Sequence, residues 1–424
     1  MSWWLFASTA HGMTLEEAWS TAADHDPELR VAREKAAQQA TVRAKAWSAL
    51  SPRVDANASY VLNNKEIAVD FTAGLPDSLI QLMGPDLPPP IVVQEKDFFQ
   101  GDLTVSDRLF SASSFSALRV AYQLDDAARS DLRMAEIDSR TRVATVYYSQ
   151  LTAEGAQGVA EKGLELAQAQ LELALRSKEA GIADDRAVLN AQLGVSRAQR
   201  DVASAREVVL TARTGFELVV GAPGTELVLP DPPQVPTDLE SALADARATR
   251  PDIRAAESRV RALRAQHVAQ DLRWLPVIDG QGQYAYSENL GFNDTHWNWR
   301  VVVAASWNLW DGGLRLAESR ETASQVRQAE VGEELTTSNA EREVRLAFEA
   351  HTRAQAALDA VDNEIALARR SLELAERSYE AGGVTWLEVE QARLGLEAAE
   401  LDRLRERMSR DLAAIDLLGR TGRL

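Results

Sequence analysis

The chain contains no cysteine. Disulfides, thiolate metal sites and thiol catalysis are therefore excluded, and the sequence suits any compartment, an oxidising one included. No run of 18 apolar residues exists, so no helix is expected to cross a bilayer. Basic residues are outnumbered, 46 Lys and Arg against 64 Asp and Glu. The resulting net charge of -18 disfavours a nucleic-acid partner, since phosphates attract basic surfaces. Histidine is sparse. His11, His25, His267, His296 and His351 are scattered, with no His–Glu pair at metal-binding spacing. No catalytic, cofactor-binding or metal-binding residue is expected, and the chain does not read as an enzyme. Proline is missing from two long stretches, between Pro90 and Pro223 and after Pro276. Both are free to form long helices, because proline breaks a helix interior.

What is present is a duplication. Leu15-Glu16 recurs as Leu239-Glu240, Pro27 as Pro251, Pro52 as Pro276 and Tyr60 as Tyr284, all at an offset of 224. The offset falls to 200 at Leu109-Phe110 against Leu309-Trp310. It then holds at 201, where Ser177–Gly181 answers Ser378–Gly382. A repeated structural unit governs the fold, and the drop of 24 locates one insertion between residues 60 and 109. The expected organisation is a first repeat over 14–221, a Pro-rich linker over 222–236 and a second repeat over 237–424. Residues 1–13, apolar with small residues towards their end, read as a signal remnant or as an ordinary frayed terminus.

Each repeat promises a short helix, two strands, a very long helix and a return helix. The first short helix is expected over Thr14–Ser51. From Phe110 to Gly181 the chain is rich in good helix formers. Heptad spacing appears at Leu164, Ala167, Leu171 and Ala174, and again at Ile365, Ala368, Leu372, Ala375 and Tyr379. Helices over Phe110–Gly181 and Trp310–Gly382 would each measure roughly 105 Å at about 1.5 Å per residue. Gly181 and Gly382 read as helix stops, with Asp184 and Thr385 able to cap the helices that follow.

Four segments alternate with period two: 53–62, 98–107, 277–287 and 297–308. Their apolar faces include Tyr60, Phe99, Tyr284, Tyr286, Trp297 and Trp299, and their opposite faces are polar. Strands of about ten residues with aromatics near their ends suit a lipid-exposed barrel wall; a small soluble sandwich is the alternative. Gly280 and Gly282 read as small residues on the lipid face rather than as part of a nucleotide loop. The first hairpin has a long loop, Asn63–Asp97, and the second a short one, Glu288–His296.

In these features the sequence resembles the TolC-like outer-membrane efflux proteins, from Thr14 to about Gly419. The matching residues are Leu15-Glu16-Glu17-Ala18 with Asp26-Pro27, Leu50-Ser51-Pro52, Arg250-Pro251-Asp252, Leu275-Pro276 and, most specifically, Ser306-Trp307-Asn308-Leu309-Trp310-Asp311-Gly312-Gly313. The resemblance implies a mainly helical homotrimer with a small β part. Long helical hairpins would form an α-barrel, and four strands from each chain would close a 12-stranded transmembrane β-barrel. The implied function is the passive exit duct of a tripartite efflux or type I secretion system, for small molecules or polypeptides. Its partners would be a periplasmic adaptor, an inner-membrane pump and outer-membrane lipid, and its place the outer membrane, extending into the periplasm. The resemblance assigns adaptor contact to tip residues Gly181, Ile182, Gly382, Gly383 and Val384. It assigns the periplasmic gate to Glu388, Gln391, Asp184 and Asp185. Gln391 stands where an acid is usual, and Ala187 replaces the corresponding acid of the first copy, which points to a less acidic gate or different locking pairs. The competing reading is a periplasmic coiled-coil adaptor or scaffold. An adaptor would carry one helical hairpin beside a compact β domain, whereas this sequence has two hairpins.

Overall fold

A computed structural model describes residues 12–83, 90–180, 184–223, 226–290, 295–381 and 383–424. The first half of the chain gives α1 (Leu15–His25), α2 (Pro27–Ser48), β1 (Arg53–Leu62), β2 (Ile67–Val69), α3 (Asp77–Met83), β3 (Ile91–Gln94), β4 (Asp97–Phe110), α4 (Ala112–Glu179) and α5 (Asp185–Val220). The second gives α6 (Leu239–Thr249), α7 (Pro251–Asp271), β5 (Val277–Ser287), β6 (Trp297–Ser306), α8 (Leu314–Glu380) and α9 (Trp386–Thr421). Two compact units result. One comprises Met1–Gln38, Asp126–Ser258 and Glu330–Leu424, the other Gln39–Asp125 and Arg259–Ala329.

Three expectations need correction. The helix expected over Thr14–Ser51 is two helices, broken at Asp26, whose ψ of 112° is extended. Pro27 causes the break, since a residue before proline is pushed out of the helical region. Arg250 before Pro251 does the same, with ψ 123°. The strand expected over 98–107 runs on to Phe110, because a register shift after Asp107 lets pairing resume at Phe110↔Ile278. The strand expected to reach residue 308 ends at Ser306, ahead of a turn in which Gly312 and Gly313 take φ of +71° and +90°. That turn needs glycine, since side chains with a Cβ rarely adopt such angles. The long loop 63–97 also carries structure of its own, the β2–β3 hairpin and α3.

In the first unit, α1 starts with a capping box. The Thr14 backbone N–H donates to Glu17 Oε2 (2.9 Å) and the Glu17 N–H to Thr14 Oγ1 (3.3 Å). Ala18 and Ala22 lie fully buried in a core formed with Val143, Ala144, Tyr147, Tyr148, Phe216, Val220 and Ile415. Small residues on α1 let its backbone approach α4 and α5 closely. The Tyr147 hydroxyl reaches the carbonyl oxygens of Met13 (2.8 Å) and Val228 (2.5 Å), and so joins α4 to the chain entering α1 and to the segment after α5. Burial pushes its pKa up to about 12. A second core repeats the plan, with Ala242, Leu243 and Ala246 of α6 against Val344, Ala347 and Leu417.

In the second unit, α2, α4, α7 and α8 are joined by polar contacts. Arg43 reaches the buried Asp125 (3.2 Å), Ser116 donates to the Ala265 carbonyl (2.8 Å), and His267 Nδ1 meets Thr322 Oγ1 (2.9 Å). The unit also holds an antiparallel sheet in the order β1-β4-β5-β6.

Phe216 has no solvent exposure and closes the core beneath α1. Phe216→Ala should lower the unfolding free energy by about 3–5 kcal/mol, through lost burial and the cavity left behind. Chemical denaturation followed by helical circular dichroism checks this, and an unchanged midpoint would contradict the packing described.

Candidate functional site: a two-faced sheet and two helical turns

Pairing in the four-stranded sheet places the alternating residues in rows. Tyr60 lies opposite Phe99, Leu103 opposite Tyr284, Tyr284 opposite Trp299, and Tyr286 opposite Trp297. In the same register Val54 meets Val105, Val105 meets Gly282, and Gly282 meets Val301. One face is thus continuously apolar, and its side chains are exposed, Trp299 at 74% and Val303 at 66%. The opposite face carries a polar network, with Val61, Phe98, Val302 and Ala304 among it. Thr104 donates to Asp102 (2.8 Å), Gln100 to Ser59 (3.1 Å) and Arg300 to Gln283 (3.0 Å), while Arg108 pairs with Asp279 (3.3 Å). Among the described residues the outer edges of β1 and β6 have no strand partner. An open sheet with a bare apolar face is a liability in water, and such surfaces mark a binding or membrane interface.

All six expected aromatics gather towards one end of the strands. Ring centroids are 4.6 Å apart for Tyr286–Trp297, 5.2 Å for the stacked Tyr284–Trp297 pair and 6.3 Å for Phe99–Tyr286. Tyr60 donates its hydroxyl to Asp97 (2.8 Å). A second aromatic set, not singled out from the sequence, lies towards the other end: Phe110, Trp274, Trp307 and Trp310, all exposed. Trp307 Nε1 donates to the Trp274 carbonyl (2.9 Å), and the Arg315 guanidinium lies 3.9 Å from the Trp274 ring centroid. Arg315 is in turn held by Asp311 (2.6 Å) and the Asn308 carbonyl (2.7 Å). The signal was available in the motif Trp307–Gly313, whose indoles continue the aromatic pattern past the strand end.

The helical turns divide the other expected residues. Asp184 is the N-cap of α5 and accepts from the Ala187 N–H (2.9 Å). Asp185 pairs with Lys178 (2.5 Å), which holds its carboxyl below the usual carboxylate range through a hydrogen bond and charge. At the second turn the Gly383 N–H donates to the Ser378 carbonyl (2.8 Å). Glu388 reaches back to accept from the N–H of Thr385, the N-cap of α9 (3.0 Å). Val384 lies in the turn between them, and Gln391 is exposed on α9. Gly181, Ile182 and Gly382 lie outside the described residues. Two further acids face inward on α9. Glu397 lies over Gly163 of α4, where an added Cβ would be 3.7 Å from Oε2. Burial raises its pKa, and Glu390 adds to the rise.

No group of acids and histidines able to hold a metal occurs among the described residues. Nor is any helix there long and apolar enough to cross a membrane.

Several solved structures share this fold. The channel CusC superposes with a TM-score of 0.74 at 19% identity, over 96% of this chain and 92% of that one. CmeC, an outer membrane channel of Campylobacter jejuni, gives 0.72 at 14% identity, over 96% and 85%. The outer membrane protein VceC of Vibrio cholerae gives 0.71 at 17% identity, over 96% of each chain. No curated protein matches the sequence. The model of the outer membrane efflux protein family matches residues 18–222 and 242–423, nearly the whole of both halves. With its paired strands, long helical hairpins and TolC-like fold, the chain belongs to the outer membrane efflux protein family.

Proposed function

We propose that three copies of the chain form a passive exit duct, with a 12-stranded barrel in the outer membrane and a helical conduit extending into the periplasm. The observation that carries this reading is the four-stranded sheet, apolar on one face, polar on the other and unpaired at both edges. In lipid every backbone group needs a partner within the protein, so an open sheet must close. Pairing β6 of one copy with β1 of the next does so, and twelve strands is an even number in the range of known barrels. The aromatic rows fit the same reading. Trp297 and Trp307 are ten residues apart, about 34 Å along a strand. At a tilt of about 40° that is roughly 26 Å across the bilayer, close to the apolar band of about 25 Å in such barrels. Tyr60, Phe99, Tyr284, Tyr286, Trp297 and Trp299 would then form the outer girdle, and Phe110, Trp274, Trp307 and Trp310 the inner one.

In this reading the repeats are 14–221 and 237–424, joined by 222–236. The turns around 180–185 and 381–386 form the periplasmic tip, where an adaptor linked to an inner-membrane pump would dock through Gly181, Ile182, Gly382, Gly383 and Val384. Glu388 and Gln391, with Asp184 and Asp185, line the gate. Cargo would be small molecules or polypeptides driven by that pump, with no chemistry performed by the duct.

The assembly is tested by mass measurement in mild detergent, where the particle should have three times the chain mass. A stable monomer with full β content would overturn the duct.

The two faces are tested by charge. Val303→Arg, on the apolar face, should cost roughly 2–4 kcal/mol if it sits at the bilayer midplane, and membrane-inserted protein should fall sharply. Gln281→Arg, on the polar face, should insert normally. Equal insertion of the two variants would contradict the orientation proposed.

The gate is tested at Glu388. Three such carboxylates on one axis would attract cations, more strongly at low salt. Glu388→Ala should therefore weaken cation selectivity in single-channel recordings. The same change removes a helix cap, a loss of about 1 kcal/mol. Thr385→Ala perturbs that cap without changing charge and should leave selectivity intact. If both variants shift selectivity alike, the carboxylate acts through the cap and not through the gate.

A further inference from the structure

The contacts that seat the short helices on the long ones are inverted in charge between the two halves. In the first half, Asp26 accepts from Ser139 Oγ (2.6 Å) and pairs with Arg142 of α4 (2.7 Å). Arg142 also reaches Glu28 (2.9 Å). Burial opposes the Asp26 carboxylate, yet Ser139, Arg142 and the N–H groups of Leu29 and Glu28 hold it below the usual carboxylate range. In the second half, Arg250 is 3% exposed and pairs with Glu343 of α8 (2.5 Å) and with Asp252 (2.9 Å), while Nη1 donates to the Ala340 carbonyl (3.3 Å). These are the same positions. Asp26 and Glu28 become Arg250 and Asp252 at the offset of 224, and Ser139 and Arg142 become Ala340 and Glu343 at 201. Nearby the charge on the long helix is reversed again, while α1 has the uncharged Trp19 and Ala23 where α6 has Leu243 and Arg247. Arg140 of α4 lies over Trp19 of α1, and its counterpart Glu341 of α8 pairs with Arg247 of α6 (2.7 Å).

Part of the apolar lining is shared by the two sockets. Ala18, Ala22 and Leu29 correspond to Ala242, Ala246 and Ile253, and Val143 corresponds to Val344; all are buried. Elsewhere the linings differ, since Trp19, Ala144 and Tyr148 of the first half correspond to Leu243, Arg345 and Glu349 of the second. Charge adds to that difference. Set on α8, the first pair of short helices would bring Asp26 and Glu28 against Glu341 and Glu343. Set on α4, the second would bring Arg247 and Arg250 against Arg140 and Arg142. Each exchange puts like charges together at a half-buried contact, a repulsion that discriminates between similar partners.

We propose that this inverted charge pair is the specificity device of the duplicated fold: it directs each pair of short helices to the long helix of its own half and rejects the equivalent helix, whether of the same chain or of a second copy. The device acts in the folding chain itself and does not depend on the duct.

The test uses the absence of native cysteine. Ala23 and Glu136 line the same recess beside α1, and Thr337 is the counterpart of Glu136 on α8. Ala23→Cys is combined with Glu136→Cys to report native docking, or with Thr337→Cys to report the exchange, and a short bis-maleimide joins the thiols. On the parent sequence only the first pair should cross-link. Asp26→Arg with Arg142→Glu keeps an ion pair in the first half but gives both sockets one polarity. The exchanged link should then rise at least tenfold, and gel mobility will show whether it lies within a chain or between copies. The neutral variant Asp26→Asn with Arg142→Gln introduces no new charge and removes part of the repulsion, so the exchanged link should appear at a smaller yield. Exclusive native linkage in a helical preparation of either variant would overturn the proposal. If the inverted variant does not fold, the neutral one decides by the same criterion.

Discussion

Helix continuity is the constraint on which the rest of the molecule depends. Residues 112–179 and 314–380 run as single helices of 68 and 67 residues, with no proline in either. In proteins most helical stability comes from packing of an apolar face rather than from propensity, so helices this long need partners along their length. The partners are supplied by the same chain: α1 and α5 bury a core with α4, and α6 packs with α8 and α9 through a second core of the same plan. Alanines at the contact keep the backbones close, and Asp26-Pro27 and Arg250-Pro251 end one short helix and start the next at the point where an ion pair fixes the junction.

Polar groups in this fold are placed where apolar packing gives no direction. The caps at Thr14, Asp184 and Asp238 set where helices begin. Tyr147 joins three segments through one hydroxyl. The four-stranded sheet separates its faces, so that Asp102, Thr104 and Gln283 share one side while Leu103, Val105 and Tyr284 share the other. Sheets that meet lipid on one side and water on the other require this separation, because a charge on the wrong face is costly.

A duplicated chain faces a problem that a unique one does not, since each half offers the other a well-shaped alternative partner. An inverted, half-buried charge pair answers it beside the differences in apolar lining, such as Trp19 against Leu243, and shape and charge then both carry information at one contact.

Much of this was legible in the sequence. The duplication, the strands over 53–62 and 277–287, the long helices and the capping positions Asp184 and Thr385 all follow from local rules: periodicity, proline placement and capping chemistry. The apolar and polar faces were legible for the same reason, because alternation along a strand fixes the side on which each residue stands. The break at Asp26 was missed because the apolar pattern continues across it and hides the preference of a pre-proline residue. The extension of β4 to Phe110 was missed because it depends on a bulge against β5, a partner about 170 residues away. Pairing register, the contact of Trp307 with Trp274, and the meeting of Asp26 with Arg142 and of Arg250 with Glu343 were decided by tertiary structure alone. Each depends on which distant segments come together, and a local pattern, which records only how a residue relates to its neighbours in the chain, holds no information about that.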